Sequence, residues 1–204
     1  MFVCFEGIDG VGKSTQAALL LQRLQNEGIN AELVADPGTT AIGKAVRHIL
    51  LENSDGISSE AQFLLFAAAR AELAHHIRQR LDKGVVVICD RWLLSSLVYQ
   101  GTLNGIDTKL IESVFEATTG GLRPDICFVL HAPLEVAVAR MKGPTDRYEA
   151  IDMQQRELLA NAYLFHGVFS NHAIKSELVD ADRAAQETAD AVYAILAERL
   201  APAT

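Results

Sequence analysis

Basic residues are in short supply in this sequence: 18 Lys and Arg stand against 26 Asp and Glu, a formal net charge of −8 at pH 7. That balance excludes a broad, sequence-independent grip on nucleic acid or on an anionic membrane, since both need an extended basic surface. An anionic small molecule must instead meet positive charge gathered at one place. Long hydrophobic runs are lacking too. The apolar stretch that begins at Phe2 turns polar at Glu6, too short for the apolar part of a signal peptide or for a membrane span. Cysteine is sparse and odd in number. Cys4, Cys89 and Cys127 each lie in or beside an apolar run, the pattern of small buried hydrophobes in a reduced, cytoplasmic setting. His75 and His76 are adjacent and point in different directions from a helix, with no Cys or acidic partner at metal-ligand spacing.

What is present is apolar bulk: half of the 204 residues are hydrophobic, enough for one α/β domain built on a single buried sheet. Short apolar runs bounded by Gly, Asp or Pro alternate with longer segments of helical period, as in repeated βαβ units. The pattern predicts five parallel strands over 2–5, 31–35, 85–89, 126–130 and 177–179, flanked by helices. Helices are expected over 13–27, 40–51, 58–83, 108–118, 134–141, a stretch after 151, and 184–200. Ser58 and Ser59 ahead of Glu60 and Gln62 predict a capping box at the start of the third helix. Gly143 and Pro144 interrupt helical residues amid charges, which predicts a short lid over about 140–150.

Between the first strand and the first helix stands Gly7-Ile8-Asp9-Gly10-Val11-Gly12-Lys13-Ser14, a full GxxxxGKS match in the context that the P-loop NTPase fold requires. The glycines let successive backbone N–H groups turn inward around a phosphate, and the following helix presents its N-terminal dipole to the same charge. Lys13 would reach the β and γ phosphates of ATP and Ser14 would hold Mg²⁺. No guanine-reading NKxD segment follows, and the strand over 85–89 ends in Asp90-Arg91 instead of the Asp-Glu pair common in motor ATPases. Asp90 can serve the metal and Arg91 can clamp a phosphate.

Four blocks make the chain similar to the thymidylate kinase family from Phe5 to about Ala181. The first runs from Phe5 through the P-loop to Thr15 and Gln16, and its acidic Asp9 is implied to contact the acceptor nucleotide. The second is Asp36-Pro37-Gly38-Thr39-Thr40 with Ile42, Gly43 and Arg47, an acceptor-side loop with a phosphate-facing arginine. In the third, Leu64 to Arg70, the resemblance implies that Phe66 stacks on thymine and Arg70 hydrogen-bonds it. Phe66 alone would read as core, but Arg70 shares its helix face one turn on. The fourth is Asp90-Arg91-Trp92 to Gly101. Here Arg91 is implied to hold the acceptor phosphate, Ser96 and Gln100 to lie near the base, and Tyr99 to guard the sugar's 2′ position; Trp92 reads as packing.

The resemblance further implies a homodimer in which dTMP, the small-molecule substrate, receives the γ-phosphoryl group of ATP. Gly10 occupies the place where some relatives carry a P-loop arginine, so the basic group falls to the lid: Arg140, Lys142 or Arg147, the last approaching the donor nucleotide. The chain departs from the family at Ala35, where an arginine is usual, at His131, where a carboxylate is usual, and at Leu94. Two other readings stay open: a kinase for another, modified pyrimidine monophosphate, and a nucleotide-binding regulator without turnover.

Overall fold

The runs over 2–6, 86–90 and 126–131 are buried on nearly every residue, as the middle of a parallel sheet requires, and the runs over 31–35 and 176–180, with Glu32, Glu177 and the exposed Leu178, form its edges. The strands are β1 (Phe2–Glu6), β2 (Ala31–Ala35), β3 (Val86–Asp90), β4 (Ile126–His131) and β5 (Ser176–Asp180), in the order β2-β3-β1-β4-β5. This computed structural model describes residues 1–52, 56–141, 151–169, 172 and 174–200. The helices are α1 (Lys13–Asn26), α2 (Ala41–Glu52), α3 (Ser59–Leu81), α4 (Leu93–Ser96), α5 (Thr108–Thr119), α6 (Leu134–Arg140), α7 (Met153–Leu164) and α8 (Ala185–Leu200). Two helices end in π turns, α4 running on over Leu97–Leu103 and α7 over Phe165–Phe169. Among the described residues no helix is long and apolar enough to cross a membrane.

The expected strands and helices all form, within a few residues of their predicted ends. β3 sits one residue later than predicted, because Asp90 still pairs with Phe5 of β1. The capping box of α3 does not form. Ser58 accepts from Ala61 N at 3.2 Å, but the third helical position is Ala, and Gln62 donates instead to Ile57 O at 2.8 Å. A complete capping box does occur at α7, between Asp152 and Gln155. Unpredicted are α4 and its π continuation.

Cys4, Cys89 and Cys127 stand side by side in register on β1, β3 and β4, free and buried, and burial pushes the Cys4 and Cys89 thiols up. Trp92 is buried, with edge contacts to Phe2 and Phe115, as packing requires. α1 and α8 pack together against the sheet, while α3, α5, α7 and the π segment after α4 pack with one another. In the latter layer, His166 meets Thr102 Oγ1 at 3.2 Å through Nε2 and His172 Nε2 at 3.0 Å through Nδ1. His172 in turn faces Glu112 at 2.6 Å.

Burial and the neighbouring His172 lower the His166 pKa, against the pull of Glu112. A histidine held neutral by the fold adds stability that is full above its ordinary value of 6.5 and is lost as pH falls through the depressed folded value. Denaturant titrations at stepped pH should therefore show wild-type stability dropping between pH 7 and about pH 5. The drop should be shallower for His166→Asn; an equal drop in both would remove His166 as its source.

Candidate functional site

In an open parallel sheet the carboxyl ends of the strands carry the loops that can meet a ligand. A cleft of about 550 Å³ opens there, over the ends of β1, β2 and β3. Its floor is the loop between β1 and α1. Ile8 and Val11 of that loop are buried in the core and anchor it, so they offer a ligand only backbone. Gly12, left-handed at φ 98°, precedes α1, which begins at Lys13. Gly10, at φ +85°, lies so close to α6 that a Cβ would collide with the Ala137 carbonyl. With α6 so placed, no side chain fits at this point of the loop.

Lys13 is buried. Its Nζ donates to Ile8 O at 2.8 Å and to Asp9 Oδ1 at 3.3 Å. Burial and the Arg91 charge lower its pKa, while Asp9 and Asp90 oppose the shift. Ser14 Oγ donates to Asp90 Oδ2 at 2.5 Å, and Asp90 Oδ1 is buried with no hydrogen-bond partner among the described residues. A hydroxyl beside a carboxylate with an uncommitted oxygen is a donor set that fits a hard divalent cation such as Mg²⁺. Thr15 lines the cleft next to Ser14.

Arg91 lies at the centre of the charged groups. Its Nη2 donates to Asp9 Oδ1, and its Nη1 donates to Tyr163 Oη at 2.9 Å and Ser95 Oγ at 3.2 Å. Tyr99 Oη donates to Asp9 Oδ2 at 3.0 Å. Burial alone would raise the Asp9 carboxyl. Arg91, Lys13 and the Tyr99 hydroxyl outweigh it and hold Asp9 well below the usual carboxylate range. Burial also pushes the Tyr99 hydroxyl up, keeping it a donor.

Opposite the loop stands α3. Phe66 is half-buried and lines the cleft one helical turn from Arg70. Arg70 is buried, its Nε donating to Asp36 Oδ2 at 2.5 Å and its Nη1 to Ser96 Oγ at 2.8 Å. Ser96 thus stands behind Arg70 and is not on the cleft wall, while Gln100 and Tyr99 are. Pro37 follows a cis peptide, and its carbonyl accepts from Arg47 Nη1 at 3.3 Å; both residues line the cleft. Arg140 closes the far wall and donates to the Ala181 carbonyl at 2.8 Å. Lys142 and Arg147 lie outside the described residues.

Three residues of the site carry no mark in the sequence reading: Asp36, Glu6 and Tyr163. Asp36 shows there as part of a loop block, Glu6 as the polar residue after the strand over 2–5 and a member of the first block, and Tyr163 as one residue of the stretch after 151. An acidic residue closing an apolar strand directly before a P-loop was the available signal for Glu6, since a buried carboxylate must find donors.

The family model described as thymidylate kinase matches residues 5–192. The thymidylate kinase of Symbiobacterium thermophilum is 39% identical, over 98% of this chain and 94% of its own length. That of Afipia carboxidovorans is 35% identical over 99% and 91%, and that of Thermomicrobium roseum 35% identical over 97% and 94%.

Proposed function

The chain belongs to the thymidylate kinase family, and we propose that it transfers the γ-phosphoryl group of ATP to dTMP, giving dTDP and ADP. The carrying observation is that one cleft joins the P-loop and Arg91 to Phe66, Arg70 and Gln100, so phosphate-binding and base-reading chemistry share one space.

The loop from Gly7 to Thr15 holds the donor phosphates through its backbone N–H groups, and Lys13 supplies the positive charge. Ser14 and Asp90 hold Mg²⁺, whose chemistry is to neutralise charge on the transferring phosphoryl group. Arg91 and Arg47 hold the acceptor phosphate, and Asp9 orients the acceptor between Arg91 and Tyr99. Phe66 offers a face for the thymine ring, Arg70 donates to a base carbonyl, and Gln100 borders the base. Pro37 packs at the acceptor loop, Ser96 acts through Arg70, and Tyr99 crowds the sugar's 2′ position. Arg140, at the end of α6, supplies charge on the donor side, and family membership alone assigns Lys142 and Arg147 to the same task. No covalent intermediate is needed, because positioning and charge stabilisation carry phosphoryl transfer. The homodimer that family membership suggests is supported by exposed Leu64 on α3 and Ile42 on α2, helices that pack together. A cytoplasmic setting accords with three free cysteines.

A coupled ADP-release assay with ATP and Mg²⁺, run in parallel on dTMP, dUMP, UMP, dCMP and dGMP, tests the assignment. The expected result is that kcat/KM for dTMP exceeds that for dCMP by about 10²-fold or more, and that Arg70→Ala collapses the preference. Turnover with none of the five, despite measurable ATP binding, would overturn it in favour of a regulator. A preference for a different base would keep the chemistry and replace the acceptor.

A further inference from the structure

We infer that Glu6 is a positioning residue that holds Arg91 in place for the acceptor phosphate, an inference that rests on the function proposed above. Arg91 has φ 74°, and among the described residues no other non-glycine residue has a positive φ. An L-residue stays in that conformation only where its surroundings over-determine it. The helix that begins two residues later has no side-chain cap of its own: its N-cap is Trp92, at φ −152° and ψ −135°.

Both needs are met from the end of β1. Phe5 O accepts from Arg91 N at 3.0 Å. The carboxylate of Glu6, fully buried and absent from the cleft wall, accepts from Trp92 N at 2.6 Å and from Ser95 N at 3.2 Å through Oε1. Its Oε2 accepts from Ser95 Oγ at 2.7 Å. Glu6 therefore caps α4 from the neighbouring strand β1 and clamps the residues on the C-terminal side of the left-handed turn.

The same carboxylate sets the direction of the bonds that reach the guanidinium. Burial pushes the Glu6 carboxyl up, while the Ser95 hydroxyl, Arg91 and the two backbone N–H groups oppose that shift and favour the ionised form; ionised, it only accepts, so the Ser95 hydroxyl spends its proton on Glu6. Ser95 Oγ must then accept from Tyr163 Oη, 2.9 Å away, and from Arg91 Nη1. Tyr163, with its own proton on Ser95, accepts from Arg91 Nη1. Every bond in the chain points toward Glu6, and Ser95 Oγ and Tyr163 Oη both face Nη1 of the guanidinium as acceptors. An amide in place of the carboxylate cannot serve this chain. With its oxygen on the two backbone N–H groups, its NH₂ faces the Ser95 hydroxyl and reverses that bond. With its oxygen on Ser95, its NH₂ faces two N–H donors.

Glu6→Gln preserves volume and should weaken dTMP binding about tenfold, read as Kd by titration calorimetry, with the Kd for ATP unchanged. In an Arg91→Ala background the same change should have no further effect on dTMP, since the two residues act as one unit. Ser95→Ala removes the link to the guanidinium but leaves the two backbone bonds to Glu6, and it should reproduce the loss, so it decides the matter if Glu6→Gln does not fold. A dTMP Kd within twofold of wild type in Glu6→Gln, or in Ser95→Ala where that variant decides, would overturn the inference. So would a loss that persists undiminished with Arg91→Ala. Failure of the wild-type protein to bind dTMP would instead sink the proposed function itself.

Discussion

Lys13→Met is expected to lower turnover about 10²- to 10³-fold, the range for losing one group that meets developing charge in a site of low dielectric. The methionine chain fills nearly the same space without the charge, so the loss should appear in kcat far more than in KM. Stability should move little and in the opposite sense from an ordinary core lesion. The Lys13 ammonium is buried and lies near Arg91, and both burial and that repulsion oppose its protonation. Replacing it relieves a desolvated charge, against the loss of bonds to the Ile8 carbonyl and Asp9. Asp9 retains Arg91 and Tyr99 as partners. Single-turnover rates beside denaturant unfolding separate the two effects. A turnover loss under tenfold would remove Lys13 from the transfer step, and a large drop in stability would make it structural.

The P-loop and the strands were legible because each rests on a local pattern. A run such as 2–5 is short and apolar throughout, and glycine spacing directly encodes where backbone must approach an anion. The segment Leu93–Leu103 was not legible. From Leu93 to Gly101 every residue is buried, so neither a 3.6 nor a 2.0 period shows, and four helical residues followed by a π turn have no face to display. The site divided in the same way. Residues whose type announces their chemistry, such as Lys13, Asp90, Arg91 and Arg70, stood out as candidates, and the cleft brings them together. Residues that act by holding others were missed. Glu6 meets Ser95 across 89 positions, Asp36 meets Arg70 across 34, and Tyr163 meets Arg91 across 72, separations that no window of sequence spans. Ser96 shows the limit of type and motif alone, since its place in a base-side block gave no sign that Arg70 stands between it and the cleft.

The Asp36 pairing leads to the largest expected effect on stability. Asp36→Ala should destabilise the fold by about 3–5 kcal/mol, the range for stripping one partner from a buried ion pair. The side chains of Arg70 and Asp36 are 5% and 0% exposed, and the guanidinium also lies 5.7 Å from the Trp92 ring centroid. Without Asp36 the guanidinium keeps Ser96 as its one hydrogen-bond partner among the described residues and cannot shed its proton. Arg70→Ala should be the milder change. Burial already pushes the Asp36 carboxyl up against the pull of Arg70, so an orphaned Asp36 escapes its penalty by taking up a proton. That difference gives a pH signature. A carboxyl whose folded pKa is raised contributes stability that is fully present below its unfolded value, near 4, and lost as pH rises through the folded value. Unfolding of Arg70→Ala should therefore become easier as pH climbs from about 4, while Asp36→Ala should lack that dependence. Both variants should lose discrimination between dTMP and dCMP, because the guanidinium proposed to read the base is absent in one and unanchored in the other. Equal destabilisation by the two substitutions at neutral pH would show that Asp36 stays charged without its partner, and would make the pair an ordinary symmetric salt bridge.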